Sequence, residues 1–245
     1  MRAIYYPALA EFIDSATTDY PVTVTISGKQ HFHLLKVVRL KEGELVLVLD
    51  GLGHHSNGLV ESIGKREMVI SLAHVKSVEV RSTTIDLAFG LPKKPAQLEA
   101  IRSAVEVGIS RIIPVTTEYS WGTLADESRI QRVMESAMLQ SNNPILPIVM
   151  PPVPFGRLID EYFSQYDSII IFTLDGELAD MEVNLAGYGE HILLLIGSEG
   201  GESDSEKQQL AENSKVKFIK VPMPILRTET AVAMAAGYIH SQISQ

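Results

Sequence analysis

HILLLIGSEGGESDSE at residues 191–206 and VKFIKVPMPILRTETAVAM at residues 216–234 share one pattern. Each begins as an apolar run of strand length, breaks into a short polar loop and opens a helix. In the first loop Gly197, Gly200 and Gly201 let backbone amides approach a ligand closely. The second loop carries Leu226-Arg227-Thr228-Glu229-Thr230, with Thr228 read as the N-cap of the last helix. Loops at the carboxyl ends of strands are where open α/β sheets bind ligands. The first loop is not a Walker A sequence, because no Gly-Lys-Ser/Thr follows, and GSEGGE does not fit G-x-G-x-x-G. Kinase and nicotinamide readings lose their main support.

Working outward, the hydrophobic pattern predicts strands at 84–90, 111–116, 168–174, 191–196 and 216–221. Helices are expected at 96–107, 127–140, 155–165, 204–213 and 229–243. Strands separated by helices of this length imply a parallel sheet with both faces covered. Leu98, Ile101, Val105 and Ile109 fall at helical spacing and are expected to face that sheet. Residues 1–75 read differently. Short strands at 22–26, 45–49, 59–63 and 68–74, with glycine-containing turns at 51–53 and 64–65, predict a small barrel. A short helix is expected within 32–39, and His54-His55 is read as an exposed pair in a loop without acidic partners. The expectation is an α/β chain of two domains, 1–75 and 76–245.

Composition narrows the function. The 245 residues contain no cysteine, which excludes disulfide frameworks and cysteine-based zinc sites. No metal site is read from the sequence. The N-terminus lacks a signal pattern, and the apolar run at 191–197 is too short to cross a bilayer, so a soluble cytoplasmic protein is expected. The net charge is −9, with −1 in residues 1–75 and −8 in the remainder. A chain this acidic does not hold phosphates through its overall field. An RNA partner would have to meet a local basic patch, for which Arg2, Lys36, Arg39, Lys93 and Lys94 are the candidates, with Arg102 and Arg111.

The IGSEGG loop followed by S-x-S-E, together with ILRTETA, resembles the paired signatures of RsmE-type RNA methyltransferases. Further similarity lies in residues 33–40, in Leu49-Asp50-Gly51, in residues 106–109 and 111–114, and in Gln140-Ser141 through Pro147. The resemblance implies a SPOUT-class α/β domain with a trefoil knot, preceded by a PUA-like β-barrel that docks RNA. It implies S-adenosylmethionine as methyl donor, N3 of a uridine as acceptor, 16S ribosomal RNA or the small ribosomal subunit as partner, and a homodimer through the knot. The donor's slot would be lined by Leu195, Ile196, Gly197 and Gly201, then Val221, Met223, Leu226, Thr228 and Ala231. Thr173 and Leu174 would close a third side. Arg227 would contact uridine, RNA phosphate or the cofactor, since its fork suits planar recognition and it stays protonated. Loss of the uracil imide proton calls for a nearby carboxylate, and Glu199 and Glu229 are the two in these loops. Glu199 is the catalytic candidate.

The chain departs from the family pattern in several places. Ser198 replaces a usual proline, and Pro222 and Pro224 stand before Leu226-Arg227. Tyr119 and Asn143 stand where arginines are frequent, and Ser103 where a lysine is common. These changes remove basic groups from the expected RNA face. They keep open a methyltransferase with another RNA target, or a noncatalytic RNA-binding or ribosome-assembly protein.

Overall fold

The computed structural model describes residues 1–13, 21–79, 82–173, 189–220 and 223–243. The chain divides into two compact units, residues 1–80 with 138–146, and residues 81–137 with 147–245.

In the first unit, β1 (Arg2–Tyr5), β2 (Val22–Ser27), β3 (Leu45–Leu49), β4 (His54–Ile63), β5 (Glu67–Leu72) and β6 (Lys76–Ser77) form one sheet. Its order is β1-β3-β4-β5-β2, with β6 also paired to β4. Alternation along these strands gathers Val24, Ile26, Val46, Val48, Val60, Met68, Ile70 and Leu72 into a core shared with Ile4, Leu9 and Leu34. β1 is unforeseen: four residues are too few for a period to show, and the strand exists because it pairs parallel with β3. The histidine pair corrects the sequence reading. His54 and His55 open β4, where His55 lies opposite Leu49 and His54 opposite Ser77, and His54 Nδ1 meets the carboxylate of Asp50. Ladder partners on two sides override the local composition. α1 (Gly28–His33) starts earlier than expected and continues as a π-helical turn over Leu34–Val38, stopping at Arg39 in the left-handed region (φ 59°).

The second unit alternates as predicted. β7 (Thr84–Gly90), α2 (Lys94–Glu106), β8 (Arg111–Thr116) and α3 (Glu127–Ser141) come first; the last turn of α3, from Met138, counts with the first unit. Two short strands, β9 (Ile148–Val149) and β10 (Val153–Pro154), lead into α4 (Phe155–Arg157). Then come β11 (Ser168–Thr173), β12 (His191–Ile196), α5 (Asp204–Ala211), β13 (Val216–Lys220) and α6 (Thr228–Ile243). The sheet is parallel throughout, in the order β10-β8-β7-β12-β11-β13, with β9 also on β8.

One face of this sheet carries Ala88, Ile113, Ile169, Ile171, Leu193 and Leu195 against Phe155, Leu158, Phe163 and Leu210. Alternation sends Ile85, Leu87, Phe89, Ile192, Leu194 and Ile196 to the other face, where α6 packs on β12 and α2. The single helix expected at 155–165 is instead three pieces: α4, a π turn at Leu158–Tyr162 and a 3₁₀ turn at Phe163–Gln165. Leu158 and Phe163 both enter the core. They are five residues apart, which the i→i+5 bonding of a π turn brings onto one side.

At the opposite end of β7 from the loops, Asp86 is buried and accepts a hydrogen bond from the Tyr166 hydroxyl at 2.7 Å, with Arg111 Nε at 3.2 Å. Burial pushes the Asp86 carboxyl above its ordinary value, against the pull of Tyr166 and Arg111. The same burial, together with Asp86, raises the Tyr166 phenol. Tyr166→Phe leaves the aspartate one donor short. It is expected to lower unfolding free energy by about 1–3 kcal/mol in urea titration at neutral pH, with the slope unchanged.

Candidate active site

All the sheet's loops of interest leave the carboxyl ends of their strands. The helix after β7 lies on one face and the helix after β12 on the other, although β7 and β12 are neighbours. Such a reversal opens a crevice beyond the strand ends.

Three of these loops approach one another closely. A Cβ at Gly90, where β7 ends, would lie 2.6 Å from the backbone N of Ser198, and one at Gly200 would lie 2.8 Å from Cβ of Tyr119. Only glycine permits both approaches. The first loop folds as a turn closed by Gly201 N donating to Ser198 O at 2.9 Å, and the Ser198 hydroxyl donates to Gly201 O at 3.1 Å. It ends at Ser203, the N-cap of α5, in a complete capping box. Glu206 Oε2 accepts from Ser203 N at 2.9 Å, while Glu206 Oε1 accepts from Glu118 N at 3.0 Å. One buried carboxylate therefore joins the loop after β12 to the loop after β8.

Beside these loops lies a cleft of about 1250 Å³. Its lining includes Thr173 at the end of β11, Ile196 and residues 197–202, Met223 through Glu229, Ala231, and Leu98, Arg102, Arg129, Val133 and Met234 from helices. Phe172 forms part of the wall and is held edge-on by Tyr238 of α6, with centroids 5.7 Å apart. Ala231 N donates to Arg227 O at 2.8 Å, so Arg227 rather than Thr228 stands at the N-cap and Thr228 is the first helical residue. The exposed Arg227 side chain emerges at the cleft from that position.

Most of the residues singled out from the sequence meet here: Thr173, Ile196, Gly197, Gly201, Met223, Leu226, Thr228 and Ala231, with Arg227 and Glu199. Leu195 does not, because its side chain is turned into the core cluster on the sheet's other side. Leu174, Val221 and Pro222 lie outside the described residues. Lys93 and Lys94 are exposed where α2 begins. In the first unit, Arg2 pairs with Glu44 at 2.9 Å and reaches the carbonyl of Arg39, and Lys36 is exposed.

The sequence reading missed Glu202. Glu199 is exposed on the turn, but Glu202 is half-buried, and its carboxyl fills the space that a side chain at Gly197 would need. Burial pushes the Glu202 carboxyl above its ordinary value, while its own backbone amide and Lys207 pull it back and Glu206 adds to the rise. The S-x-x-E spacing of Ser203 and Glu206 was the available signal: it assigns Glu206 to capping and leaves Glu202 as a second cleft carboxylate. Among the described residues no cluster of His, Asp and Glu is arranged to hold a metal ion, and no helix is long and apolar enough to cross a membrane.

Residues 79–240 match the RNA methyltransferase domain family, and the chain belongs to that family. Its relatives include ribosomal RNA small subunit methyltransferase E of Rickettsia conorii, 23% identical over 220 residues that span 88% of each chain. The Bacillus subtilis protein of the same name is 26% identical over 234 residues, covering 90% of each. The fold matches the crystal structure of ribosomal RNA small subunit methyltransferase E from Neisseria gonorrhoeae bound to S-adenosyl methionine. That match has a TM-score of 0.78 and 21% identity, and covers 98% of this chain and 97% of the other.

Two outcomes follow from the site's construction. Glu206→Ala leaves the Ser203 cap but removes the acceptor of both Ser203 N and Glu118 N. It is expected to cost roughly 2–3 kcal/mol and to speed hydrogen exchange at the Ser203 and Glu118 amides. Glu202 has its folded-state proton affinity raised, so its favourable contribution is present below the ordinary carboxylate value and disappears as pH rises through the elevated one. Glu202→Gln, which cannot ionise, should therefore gain stability relative to the parent over that rise. Denaturation curves of the two proteins should converge in acid and separate towards neutral pH.

Proposed function

We propose that the second unit binds S-adenosylmethionine in the strand-end cleft and transfers its methyl group to N3 of a uridine in 16S ribosomal RNA. The observation carrying this reading is the meeting of residues 197–202 and 223–229 on one cleft. The residues fit the donor. Apolar walls at Leu98, Phe172, Ile196, Leu226 and Met234 suit an adenine, with the glycine backbone at 197 and 200 also on the lining. Carboxylates at Glu199, Glu202 and Glu229 suit a ligand carrying positive charge. Pockets for small molecules usually hold about 300–1,000 Å³, so this larger cleft leaves space for an acceptor base beside the donor.

When bound, S-adenosylmethionine supplies an electrophilic methyl group on a cationic sulfur. The chain's own residues orient the acceptor and take its proton. Arg227, fixed at the start of α6 by its backbone, presents a planar fork to uracil or to the flanking phosphate. Among the cleft carboxylates, Glu202 is half-buried against Gly197 with its proton affinity raised by that burial, and it takes the imide hydrogen; the exposed Glu199 assists charge balance at the rim. Most of the rate gain comes from holding donor and acceptor in line.

The finer architecture belongs to the same proposal. A C-terminal segment tucked as a trefoil knot accords with β13 at the sheet edge, its loop and that of β12 facing one cleft. Residues 1–75 serve as a PUA-like, RNA-docking domain and 76–245 as the methyltransferase domain, paired as a homodimer. The −9 charge and Tyr119 in place of a frequent arginine favour a second reading, the same chemistry on another RNA.

Calorimetry should detect S-adenosylmethionine binding to the pure protein, and its absence at millimolar ligand would remove the enzyme reading. Mass analysis of ribosomal RNA from a deletion strain should show loss of N3-methyluridine from 16S RNA; retention with donor binding intact would move the target elsewhere. Arg227→Ala is expected to keep donor affinity while methyl transfer falls by about 100-fold or more. Unchanged turnover would take Arg227 out of the site.

A further inference from the structure

The loop after β8 presents two large aromatic side chains to water. Tyr119 is 46% exposed and Trp121 is 55% exposed. They flank a hollow of about 560 Å³ completed by Ser120 and Gly200. Gly200 also lines the main cleft, so the hollow lies next to it.

The loop is held firmly. Trp121 N donates to Leu91 O at 2.8 Å, and Thr117 N donates to the Ser120 hydroxyl oxygen at 2.8 Å. Glu118 N donates to the buried carboxylate of Glu206, and Tyr119 is packed on Gly200. The rings are thus fixed in place yet left open, an arrangement with no use in the unit's own core. A cation stands beside them: Lys93 Nζ lies 4.4 Å from the Trp121 ring centroid, and Lys94 follows at the start of α2.

We propose that Tyr119 and Trp121 form a stacking shelf for an unpaired nucleobase next to the methylated nucleotide, with Lys93 meeting the adjoining phosphate. The proposal rests on the RNA methyltransferase reading and adds a substrate contact to it. Single-stranded RNA is recognised by stacking splayed bases on aromatic rings, and this tolerates sequence because every base has a π face. Stacking also suits a chain of net charge −9, whose field offers phosphates little attraction. Gly200, shared by both linings, sets the shelf beside the cleft, so a base on the shelf would have its neighbour near the donor.

Trp121 is the single tryptophan of the chain, so its fluorescence reports the shelf alone. The test titrates the full-length protein, without cofactor, with a short uridine-containing single-stranded oligoribonucleotide and with the same sequence as a duplex. The single strand is expected to quench Trp121 emission and the duplex to leave it unchanged. Trp121→Ala and Tyr119→Ala should each weaken oligonucleotide binding roughly ten- to a hundred-fold and raise the RNA KM, with calorimetric S-adenosylmethionine affinity unaltered. Binding of the oligonucleotide without quenching, or no binding at high micromolar RNA, would overturn the shelf. So would a Trp121→Ala protein that sediments as a smaller species while keeping its RNA affinity, since the rings would then belong to a contact between copies of the chain. Failure of donor binding would instead remove the methyltransferase reading, and the quench, measured without donor, separates the two.

Discussion

The carboxylate of Glu206 bonds two backbone amides that belong to different loops, Ser203 N and Glu118 N, and does so from a buried position. Hydrogen bonds to a charged acceptor are worth about 1.5–3 kcal/mol each, and a buried amide left without one costs a similar amount. The loops after β8 and β12 therefore have one stable mutual arrangement. Gly90 and Gly200 make it sterically possible, because their missing Cβ atoms would otherwise collide with Ser198 and Tyr119. Everything proposed for the cleft depends on this packed junction. It sets where Gly197, Glu202 and the aromatic loop stand relative to the start of α6.

Net charge takes on a different meaning once the site is located. Acidic residues dominate the second unit's sequence, yet its cleft also gathers Arg102, Arg129, Lys207 and Arg227. A ligand of mixed character, cationic at its sulfur and amine and neutral at its base, suits a cleft lined by both signs. In the proposed complex RNA would meet the same surface through a few fixed cations and two open rings. Electrostatic steering falls with salt over a Debye length of about 8 Å under physiological conditions, whereas stacking contacts are largely insensitive to it.

Much of the second unit was legible in the sequence, since parallel strands buried on both faces read as continuous apolar runs that alternate with helical stretches. The loops were legible too, because glycine and the polar-to-helix transition mark strand ends. What escaped notice was information held by partners distant in sequence. β1 exists through β3, His54 and His55 are strand residues through β3 and β6, and the π turn after α4 answers to the core seats of Leu158 and Phe163. Leu195 differs for a related reason: on a strand buried on both faces, hydrophobicity cannot say which side a side chain takes, and that of Leu195 lies in the core cluster while its neighbour Ile196 lines the cleft.

The choice between carboxylates illustrates how burial converts a loop into a site. In the sequence Glu199 and Glu202 are equivalent, two glutamates three residues apart in a glycine-rich stretch. The turn closed between Ser198 and Gly201 carries Glu199 outward on its exposed tip. The chain then re-enters the protein to cap α5, and Glu202 is drawn inward against Gly197. Desolvation raises its proton affinity there, and Lys207 moderates the rise. A base for a weakly acidic imide works better the more strongly it holds a proton. In the proposed reaction burial gives Glu202 that affinity, and the nearby Lys207 opposes the rise. Both effects trace back to the Ser203–Glu206 cap that fixes where the loop turns inward.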